Sequence, residues 1–310
     1  MLSIIFGDNH GSGKSPIARR DNYVETQFLK LEEIVSISNL YDAPMIMVGD
    51  FLDKAVISNA LLNRFGAVLL NAKHPMYFVW GNHDLLYHSI KMWSRTSMGV
   101  LLSNNPMVRH ISSFEKDYGI AWDWQDWDCD IVNNGSKLLL SHKAIVTQKL
   151  IGINSALAKD KTFSMQVSTP ALRQYSLIIC GHWHKRFQYK YKNTKVLNPG
   201  PVMRQTVIDI LMPSITVLNL KTLFGKRIIL STAKNPKDVL STAHLDGKVT
   251  ITQAIADFRE SMDGKDLRKA ASFIDNLILL LDSGELEESI EILLRDLIAE
   301  ALENNDKISA

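Results

Sequence analysis

Aspartate and histidine residues recur in this 310-residue chain at places where a short apolar run ends. Asp8 and His10 follow the apolar run Leu2–Phe6 and are two positions apart. In an extended segment the side chains of residues i and i+2 point the same way, so this carboxylate and this imidazole would converge on one point. Carboxylate and imidazole groups are common ligands of divalent metal ions. The first motif therefore predicts a metal site.

Four later stretches repeat this pattern. Apolar runs end at Gly49-Asp50-Phe51-Leu52-Asp53, at Gly81-Asn82-His83-Asp84, at Ser141-His142 and at Gly181-His182-Trp183-His184. The first of the five runs is too short and too uniformly apolar for an amphipathic helix, and we predict that all five are strands. Ligands of open α/β sheets bind beyond the carboxyl ends of the strands, so five such strands would collect their polar residues in one site.

The order GDxH, GDxxD, GNHD, a single His and GHxH resembles that of the calcineurin-like metallophosphoesterases. The motifs extend from Gly7 to His184, roughly the first two thirds of the chain. The resemblance implies an α/β fold in which two mixed β-sheets pack face to face and are flanked by helices. It also implies a phosphoester hydrolase with two divalent metal ions and a metal-bound water as the nucleophile.

The resemblance assigns a role to each motif residue. The first ion would be held by Asp8, His10, Asp50 and His184. The second ion would be held by Asp50, Asn82, His142 and His182. His83 would be the catalytic residue beside the scissile phosphate, Asp84 would orient its ring, and Asp53 would lie behind a ligating imidazole. The donor set suits manganese, iron or zinc, and the habit of one branch of the family favours Mn²⁺.

That branch is the SbcD type, the nuclease subunit of bacterial and phage repair complexes. The resemblance to it rests on the long loop that ends in Arg19-Arg20-Asp21, on the turn Asn198-Pro199-Gly200-Pro201, and on a helical C-terminal region. It implies a DNA exonuclease or endonuclease of repair and recombination, with an SMC-like ATPase of SbcC type docked on the C-terminal helices. Two alternatives stay open: a phosphoesterase of small phosphodiesters or phosphoproteins, and a scaffold without activity.

The segment after His184 alternates aromatic and basic residues. Such a period of two predicts the first strand of a hairpin, which we expect to turn at Asn193-Thr194. Its basic side chains Arg186, Lys190 and Lys192 either contact a phosphate backbone or are simply solvated. Upstream, Trp122, Trp124 and Trp127 stand among four aspartates, which favours a strand and turn with half-buried rings over a base-stacking platform.

Composition and periodicity predict the domain organisation. The catalytic domain is predicted at 1–232, a linker at 233–249, and a helical region at 250–310 with helices near 251–262, 266–282 and 285–304. Two late strands, 215–220 and 227–230, are expected to close the second sheet. Helices are predicted from Tyr23 with Asp21 as N-cap, and from Asn59 with Ser58 as N-cap.

The chain carries a formal net charge of +2 and two cysteines far apart in sequence. This charge neither indicates nor excludes a nucleic-acid partner. The cysteines are expected to be free in a reducing compartment. We find no basic leader and no apolar stretch long enough for a membrane span, so a cytoplasmic protein is expected, with a homodimer left open.

Overall fold

The computed structural model describes residues 1–147, 164–207 and 209–241. The predicted helices at 251–262, 266–282 and 285–304 lie outside the described residues, and the domain boundaries stay a prediction. Among the described residues, no helix has the length and apolar character needed to cross a membrane.

Short strands and five described α-helices make up the fold. In chain order the strands are β1 (Leu2–Phe6), β2 (Met45–Met47), β3 (Met76–Phe78), β4 (Val108–His110), β5 (Asp123–Gln125), β6 (Leu138–Ser141), β7 (Ala144–Val146), β8 (Ser164–Gln166), β9 (Leu177–Cys180), β10 (Phe187–Tyr191), β11 (Thr194–Asn198), β12 (Ser214–Asn219) and β13 (Phe224–Ile229). The helices are α1 (Tyr23–Tyr41), α2 (Asn59–Leu69), α3 (Ser97–Asn104), α4 (Phe114–Tyr118) and α5 (Pro236–Val239).

The strands form two large mixed sheets and one strand pair. The first sheet has the order β13-β12-β1-β2-β3-β4, the second has the order β10-β11-β9-β6-β5, and β7 pairs with β8. Strands β1 to β4 are parallel, and so are β5, β6 and β9. The predicted α/β fold with two mixed sheets flanked by helices is confirmed.

Alternation along the strands divides the core into layers. Ile5 and Tyr77 point from the first sheet toward Leu140 and Ile179 of the second sheet, and these residues belong to one buried cluster. The intervening positions face the other way, as the two-residue period of a strand requires. They pack against α1, α2 and α3 in a cluster that includes Ile4, Phe6, Met45, Met47, Phe28, Leu31 and Phe65. The sheets therefore lie face to face, and these helices cover the outer face of the first.

One expectation about the late part of the catalytic region is wrong. Strands β12 and β13 do not close the second sheet but extend the first, because β12 pairs antiparallel with β1, with Ile4 opposite Val217. The free edge of β1 supplied a pairing partner that the local pattern could not indicate. The segment predicted as a linker contains the short helix α5, which begins at Pro236. The side chain of Asn235 accepts from the amide of Lys237 at its start.

The helix caps are partly as expected. The Ser58 hydroxyl accepts from the amide of Leu61 and caps α2, as predicted. Helix α1 is capped by Asn22 rather than by Asp21, because Asp21 is already engaged by the Arg19 guanidinium, 2.7 Å away, and by the Thr26 hydroxyl. Arg19 is buried and also donates to the carbonyl of Arg204, so it is not a solvated surface residue.

Candidate metal centre

All five motifs follow the carboxyl ends of strands, namely β1, β2, β3, β6 and β9. The turns after β1, β2 and β9 contain left-handed residues. Positive φ angles occur at Asp8 (29°), His10 (46°), Asp50 (53°) and His182 (66°). Such angles are uncommon outside glycine and cluster at functional sites. The extended geometry expected for residues 8 to 10 is therefore wrong, and the side chains of Asp8 and His10 are brought together by backbone turns instead.

The predicted ligands of the first ion lie close together. Donor atoms of Asp8, His10 and His184 are all within 4.8 Å of one another. The Nε2 atoms of His10 and His184 face each other at 2.8 Å. The Asp50 Oδ2 atom lies 3.9 Å from His10 Nε2, so the carboxylate of Asp50 borders this group.

A second group forms on the other side of Asp50. Donor atoms of Asp50, His142 and His182 lie within 4.8 Å of one another, and Asp50 Oδ2 is 3.1 Å from His142 Nε2. The Oδ1 atom of Asn82 lies 3.2 Å from His142 Nε2 and 3.1 Å from His182 Nδ1. The structure thus brings together all seven residues that the sequence predicted as ligands, with Asp50 between the two groups.

One atom in the centre is suited to a bound cation. Asp8 Oδ2 is buried without a hydrogen-bond partner among the described residues. Buried polar atoms are nearly always satisfied, and a buried carboxylate needs a compensating charge. A divalent ion between Asp8, His10 and His184 would supply that charge, so the residues present fit a metal.

Electrostatic coupling is strong because Asp8, His10, Asp50 and His142 are buried, while His182 and His184 are half-buried. Burial opposes ionisation of Asp50, but the neighbouring His142 outweighs it and holds the pKa of Asp50 well below its usual value. Burial also opposes the charge on His142, yet Asp50 raises the pKa of His142 to about 9. Burial and the charge of His142 lower the pKa of His182 to about 3. The carboxylate of Asp50 and the imidazole of His142 thus each favour the charged form of the other.

A glycine permits the close approach of two motifs. A Cβ atom at Gly81 would lie 2.1 Å from Asp50 Oδ1 and 2.3 Å from the backbone nitrogen of Asp50. Only a residue without a side chain fits there. The position of Gly81 lets the His83 amide donate to Asp50 Oδ1 at 2.9 Å.

His83 lies at the edge of the centre, next to the first group. Its ring is T-shaped to that of His10, with the centroids 4.9 Å apart. Its Nδ1 atom donates to the backbone carbonyl of Asp53 at 2.8 Å. Burial lowers the pKa of His83, but Asp50 and the Asp53 carbonyl outweigh it and raise the pKa above its usual value. The remaining nitrogen, Nε2, can therefore carry a proton for transfer.

The orienting role predicted for Asp84 is wrong. Its carboxylate accepts from the amides of Leu52 and Gly81, at 3.0 and 3.2 Å, and the Asp53 carbonyl holds the His83 ring in its place. Burial, followed by the charge of Asp50, raises the pKa of Asp84 to about 7. Asp84 therefore ties the turns after β2 and β3 together. The reason is geometric, since neighbouring side chains on a turn diverge.

Asp53 lies beside an imidazole, as predicted. Its Oδ1 atom is 3.6 Å from His10 Nδ1 and accepts at 2.8 Å from the side-chain amide of Gln205. The backbone carbonyl of His10 accepts from the Tyr23 hydroxyl at 3.1 Å. Gln205 and Tyr23 thus support the first group from distant parts of the chain, and no motif indicated either of them.

Two further residues beside the centre were missed. The Trp127 ring packs against the rings of His182 and His142, with centroids 4.8 and 5.7 Å away. Trp122 and Trp127 are buried, so their rings are more enclosed than predicted, while Trp124 is half-buried. His88 Nδ1 donates to the carbonyl of Asn82 at 2.9 Å, a contact that its place outside the motifs did not suggest.

The basic residues after His184 occupy three different environments. Arg186 is half-buried and donates to the Met212 carbonyl and to the Ser214 hydroxyl. Lys190 is exposed on β10. Lys192 lies in the hairpin turn with a φ of 52°, because Tyr191 pairs with Thr194. The hairpin and the alternation along β10 are confirmed, but the turn is Lys192-Asn193, and of the three cations only Lys190 lies on the exposed face of the strand.

A family model described as the calcineurin-like phosphoesterase superfamily domain matches residues 1–222. The chain belongs to this superfamily. As a calcineurin-like phosphoesterase it is a hydrolase of phosphoester bonds, and the superfamily uses divalent metal ions, for which the Asp and His groups above are suited. No curated protein sequence matches the chain.

Solved structures similar to this calcineurin-like phosphoesterase include three from microbes. A novel archaeal phosphodiesterase shares 17% identity over 74% of this chain and 100% of that chain, with a TM-score of 0.38. A predicted phosphoesterase from Streptococcus pneumoniae shares 13% identity over 75% and 97% of the two chains, with a TM-score of 0.28. A protein from Staphylococcus aureus described as a 5′-nucleotidase shares 15% identity over 74% of this chain and 52% of that chain, with a TM-score of 0.39.

Proposed function

We propose that this phosphoesterase is a DNA exonuclease or endonuclease of SbcD type that uses two divalent metal ions. The observation that carries the two-metal part is the position of Asp50. Its Oδ2 atom is 3.1 Å from His142 Nε2 in one donor group and 3.9 Å from His10 Nε2 in the other. One carboxylate shared by two groups is the arrangement that a bridged pair of ions requires.

The proposed ligands are those that the sequence predicted. The first ion would be bound by Asp8, His10, Asp50 and His184. The second ion would be bound by Asp50, Asn82, His142 and His182. Asn82 contributes a neutral oxygen to the second group, and Asp8 and Asp50 contribute the carboxylates. Oxygen and imidazole donors without thiolate suit manganese, iron or zinc, and the resemblance to the SbcD branch favours Mn²⁺.

When bound, such ions would neutralise charge on a phosphoryl group and would lower the pKa of a coordinated water to a value near neutrality. The residues of the chain do the rest. His83, held through Nδ1 by the Asp53 carbonyl, presents Nε2 to the leaving oxygen and donates a proton to it. Asp84 keeps the turns of Asp50 and His83 together, and Asp53 accepts from His10 Nδ1 once that nitrogen carries a proton.

The nuclease part of the proposal is supported by the resemblance to the SbcD branch and by the exposed Lys54, which directly follows Asp53 in the chain. The residues Arg19 and Asp21 of that resemblance form a buried ion pair beside α1. The branch also implies an SMC-like ATPase partner, which the C-terminal helices would bind, and a cytoplasmic location. The residues of these helices lie outside the described part of the chain.

A second candidate keeps the same centre and changes the substrate to a small phosphodiester or a phosphoprotein. The shared geometry of Asp50 and His83 serves these reactions equally well. Substrate tests separate the two. Purified protein with Mn²⁺ is incubated with linear double-stranded DNA, single-stranded DNA and bis(4-nitrophenyl) phosphate, with the Asp50→Ala variant purified in parallel as the control for contaminating nuclease.

We expect DNA cleavage by the parent protein and none by the variant. Hydrolysis of the small phosphodiester without cleavage of either DNA would refute the nuclease proposal and favour the second candidate. DNA cleavage that persists in the Asp50→Ala preparation would come from a contaminant and would leave no support for the nuclease.

A further inference from the structure

The segment between Asp53 and Glu115 is almost free of acidic residues, although the whole chain has 33 of them. Its single carboxylate is Asp84, which is buried in the centre. Its basic residues are Lys54, Arg64, Lys73, Lys91, Arg95 and Arg109. The surface of this segment therefore has one sign of charge, in contrast to a chain whose net charge is only +2.

Half of these cations have a partner elsewhere or lie away from the centre. Arg64 pairs with Glu25, Arg109 pairs with Asp117, and Lys73 lies next to the amino end of β3. The remaining three, Lys54, Lys91 and Arg95, are exposed and form no ion pair with a described residue. All three belong to two segments that we call loops: 54–58, between β2 and α2, and 86–97, which follows β3 and ends at the first residue of α3.

The two loops are joined to each other. The Ser97 amide donates to the carbonyl of Ala55 at 2.8 Å, and the Ile57 amide donates to the Ser97 hydroxyl at 3.0 Å. Both loops are also attached to the metal centre. Lys54 directly follows Asp53, whose carbonyl holds His83, and His88 donates to the carbonyl of the ligand Asn82. The three cations thus belong to two loops that are hydrogen-bonded to each other and begin beside the centre.

Aromatic side chains are exposed on the second of these loops, 86–97. Tyr87 is 87% exposed and has a φ of 53°, and His88 follows with a φ of 54°. Two successive non-glycine residues in the left-handed region cost conformational energy, which commonly accompanies function. Trp93 is 38% exposed, and its ring lies 6.0 Å from that of Trp80. Exposed rings beside cations are the means by which single strands are held, through base stacking and phosphate neutralisation.

We propose that loops 54–58 and 86–97 form a path for single-stranded nucleic acid that leads into the metal centre. Lys54, Lys91 and Arg95 bind its phosphates, and Tyr87 stacks on a base. The proposal rests on the proposed nuclease function. Among the described residues outside the segment, one carboxylate hydrogen-bonds to these loops, that of Asp128, which accepts from the Ile90 amide at 3.1 Å. This carboxylate accepts from a backbone amide and forms no ion pair with any of the three cations.

The first test measures binding of a fluorescein-labelled 30-nucleotide oligothymidylate by anisotropy, in chelator so that no cleavage occurs. The test variant is Lys54→Ser, Lys91→Ser and Arg95→Ser combined. Each lost phosphate contact reduces the slope of log K against log salt by about 0.7, so we expect a slope shallower by about 2. The matched control replaces Lys73, Lys221 and Lys226, which removes the same charge from parts of the first sheet away from the centre. We expect its slope to equal that of the parent.

The second test isolates stacking. Tyr87→Ala is expected to weaken binding about 5- to 150-fold, while Tyr87→Phe retains it, and an all-abasic oligonucleotide should show no difference between the variants. Phe224→Ala removes another exposed ring, on β13, and should change nothing. The triple variant and Tyr87→Ala should both hydrolyse bis(4-nitrophenyl) phosphate at the parent rate, which would show that they are folded.

The outcomes separate the two proposals. The path is overturned if the salt slope of the triple variant equals that of the parent, or if the control variant shows the same decrease in slope. DNA cleavage by the parent protein would still support the nuclease proposal. If the triple variant loses affinity for polyglutamate and for the oligonucleotide to the same extent, and Tyr87→Ala has no effect, the loops form a general anion-binding surface. That result also overturns the proposed path. A parent protein that cleaves the small phosphodiester but neither binds nor cleaves DNA contradicts the nuclease proposal itself.

Discussion

The Nδ1 atom of His83 lies 2.8 Å from the backbone carbonyl oxygen of Asp53, a residue 30 positions earlier in the chain. A carbonyl oxygen only accepts, so Nδ1 carries a proton and Nε2 is the nitrogen that faces outward. The loop after β2 therefore decides which nitrogen of His83 can act on a substrate. The same loop carries Asp50, the proposed bridging ligand, so one backbone turn positions both residues.

Replacement of His83 by asparagine should retain the metal content and lower kcat. Asparagine is a hydrogen-bond donor of similar reach but cannot deliver a proton, and loss of a general acid typically costs about 10²- to 10⁴-fold. The measurement is kcat on bis(4-nitrophenyl) phosphate together with elemental analysis. A kcat within a few-fold of the parent, with the metal retained, would show that His83 is not the acid.

Replacement of Asp50 by alanine should remove metal and activity together. Asp50 borders both donor groups, so its loss takes a ligand from each. Asp117→Ala is the matched control, because this carboxylate is engaged by Tyr77 and Arg109 away from the centre. Metal content by elemental analysis should fall in the first variant and not in the second. Two ions per chain in Asp50→Ala would contradict the bridging role.

Arg186 and Lys190 should differ although they are close in sequence. Arg186 donates to the Met212 carbonyl and the Ser214 hydroxyl, so Arg186→Ser should lower stability by about 1 to 3 kcal/mol. Lys190 is exposed, and Lys190→Ser should leave stability unchanged. Denaturant unfolding measures both. If Lys190 contacts phosphate, its replacement lowers the salt slope of double-stranded DNA binding by about 0.9, and an unchanged slope means that it is solvated.

Lys30 should make stability depend on pH. It is buried, its Nζ atom donates to the Val202 carbonyl at 2.8 Å, and burial followed by the charges of Arg19 and Arg204 lowers its pKa to about 7 from 10.5. Between these values the unfolded chain binds more protons at Lys30 than the folded protein. The free energy of unfolding therefore rises with pH in this window, by at most about 1.4 kcal/mol per unit.

Lys30→Met removes this contribution. The stability of the variant relative to the parent should be greatest below pH 7 and should decrease steadily toward pH 10, while the lost bond to Val202 lowers it equally at every pH. Urea unfolding at several pH values measures the difference, with Lys221→Met as the exposed control. A difference that is constant from pH 6 to pH 10 would show that Lys30 stays charged when folded.

The sequence by itself determined the strand ends and the metal-binding residue types. Strands β1, β2, β3, β6 and β9 were all predicted within a few residues, because a short apolar run followed by glycine or another turn residue is a local signal. The order of the motifs indicated the superfamily, which the family match over residues 1–222 shows. These features depend on neighbouring residues along the chain, so they can be read without a structure.

Only the tertiary structure decided how the side chains converge. Left-handed φ angles at Asp8 and His10, the carbonyl of Asp53 as the partner of His83, and Trp127 against His182 each depend on contacts between distant segments. The membership of β12 in the first sheet is of the same kind, since hydrogen bonding to β1 joins residues more than 200 positions apart. Local patterns specify which face of a strand is apolar. The partner that covers that face, and the turn that aims a ligand, are set by packing of the whole fold.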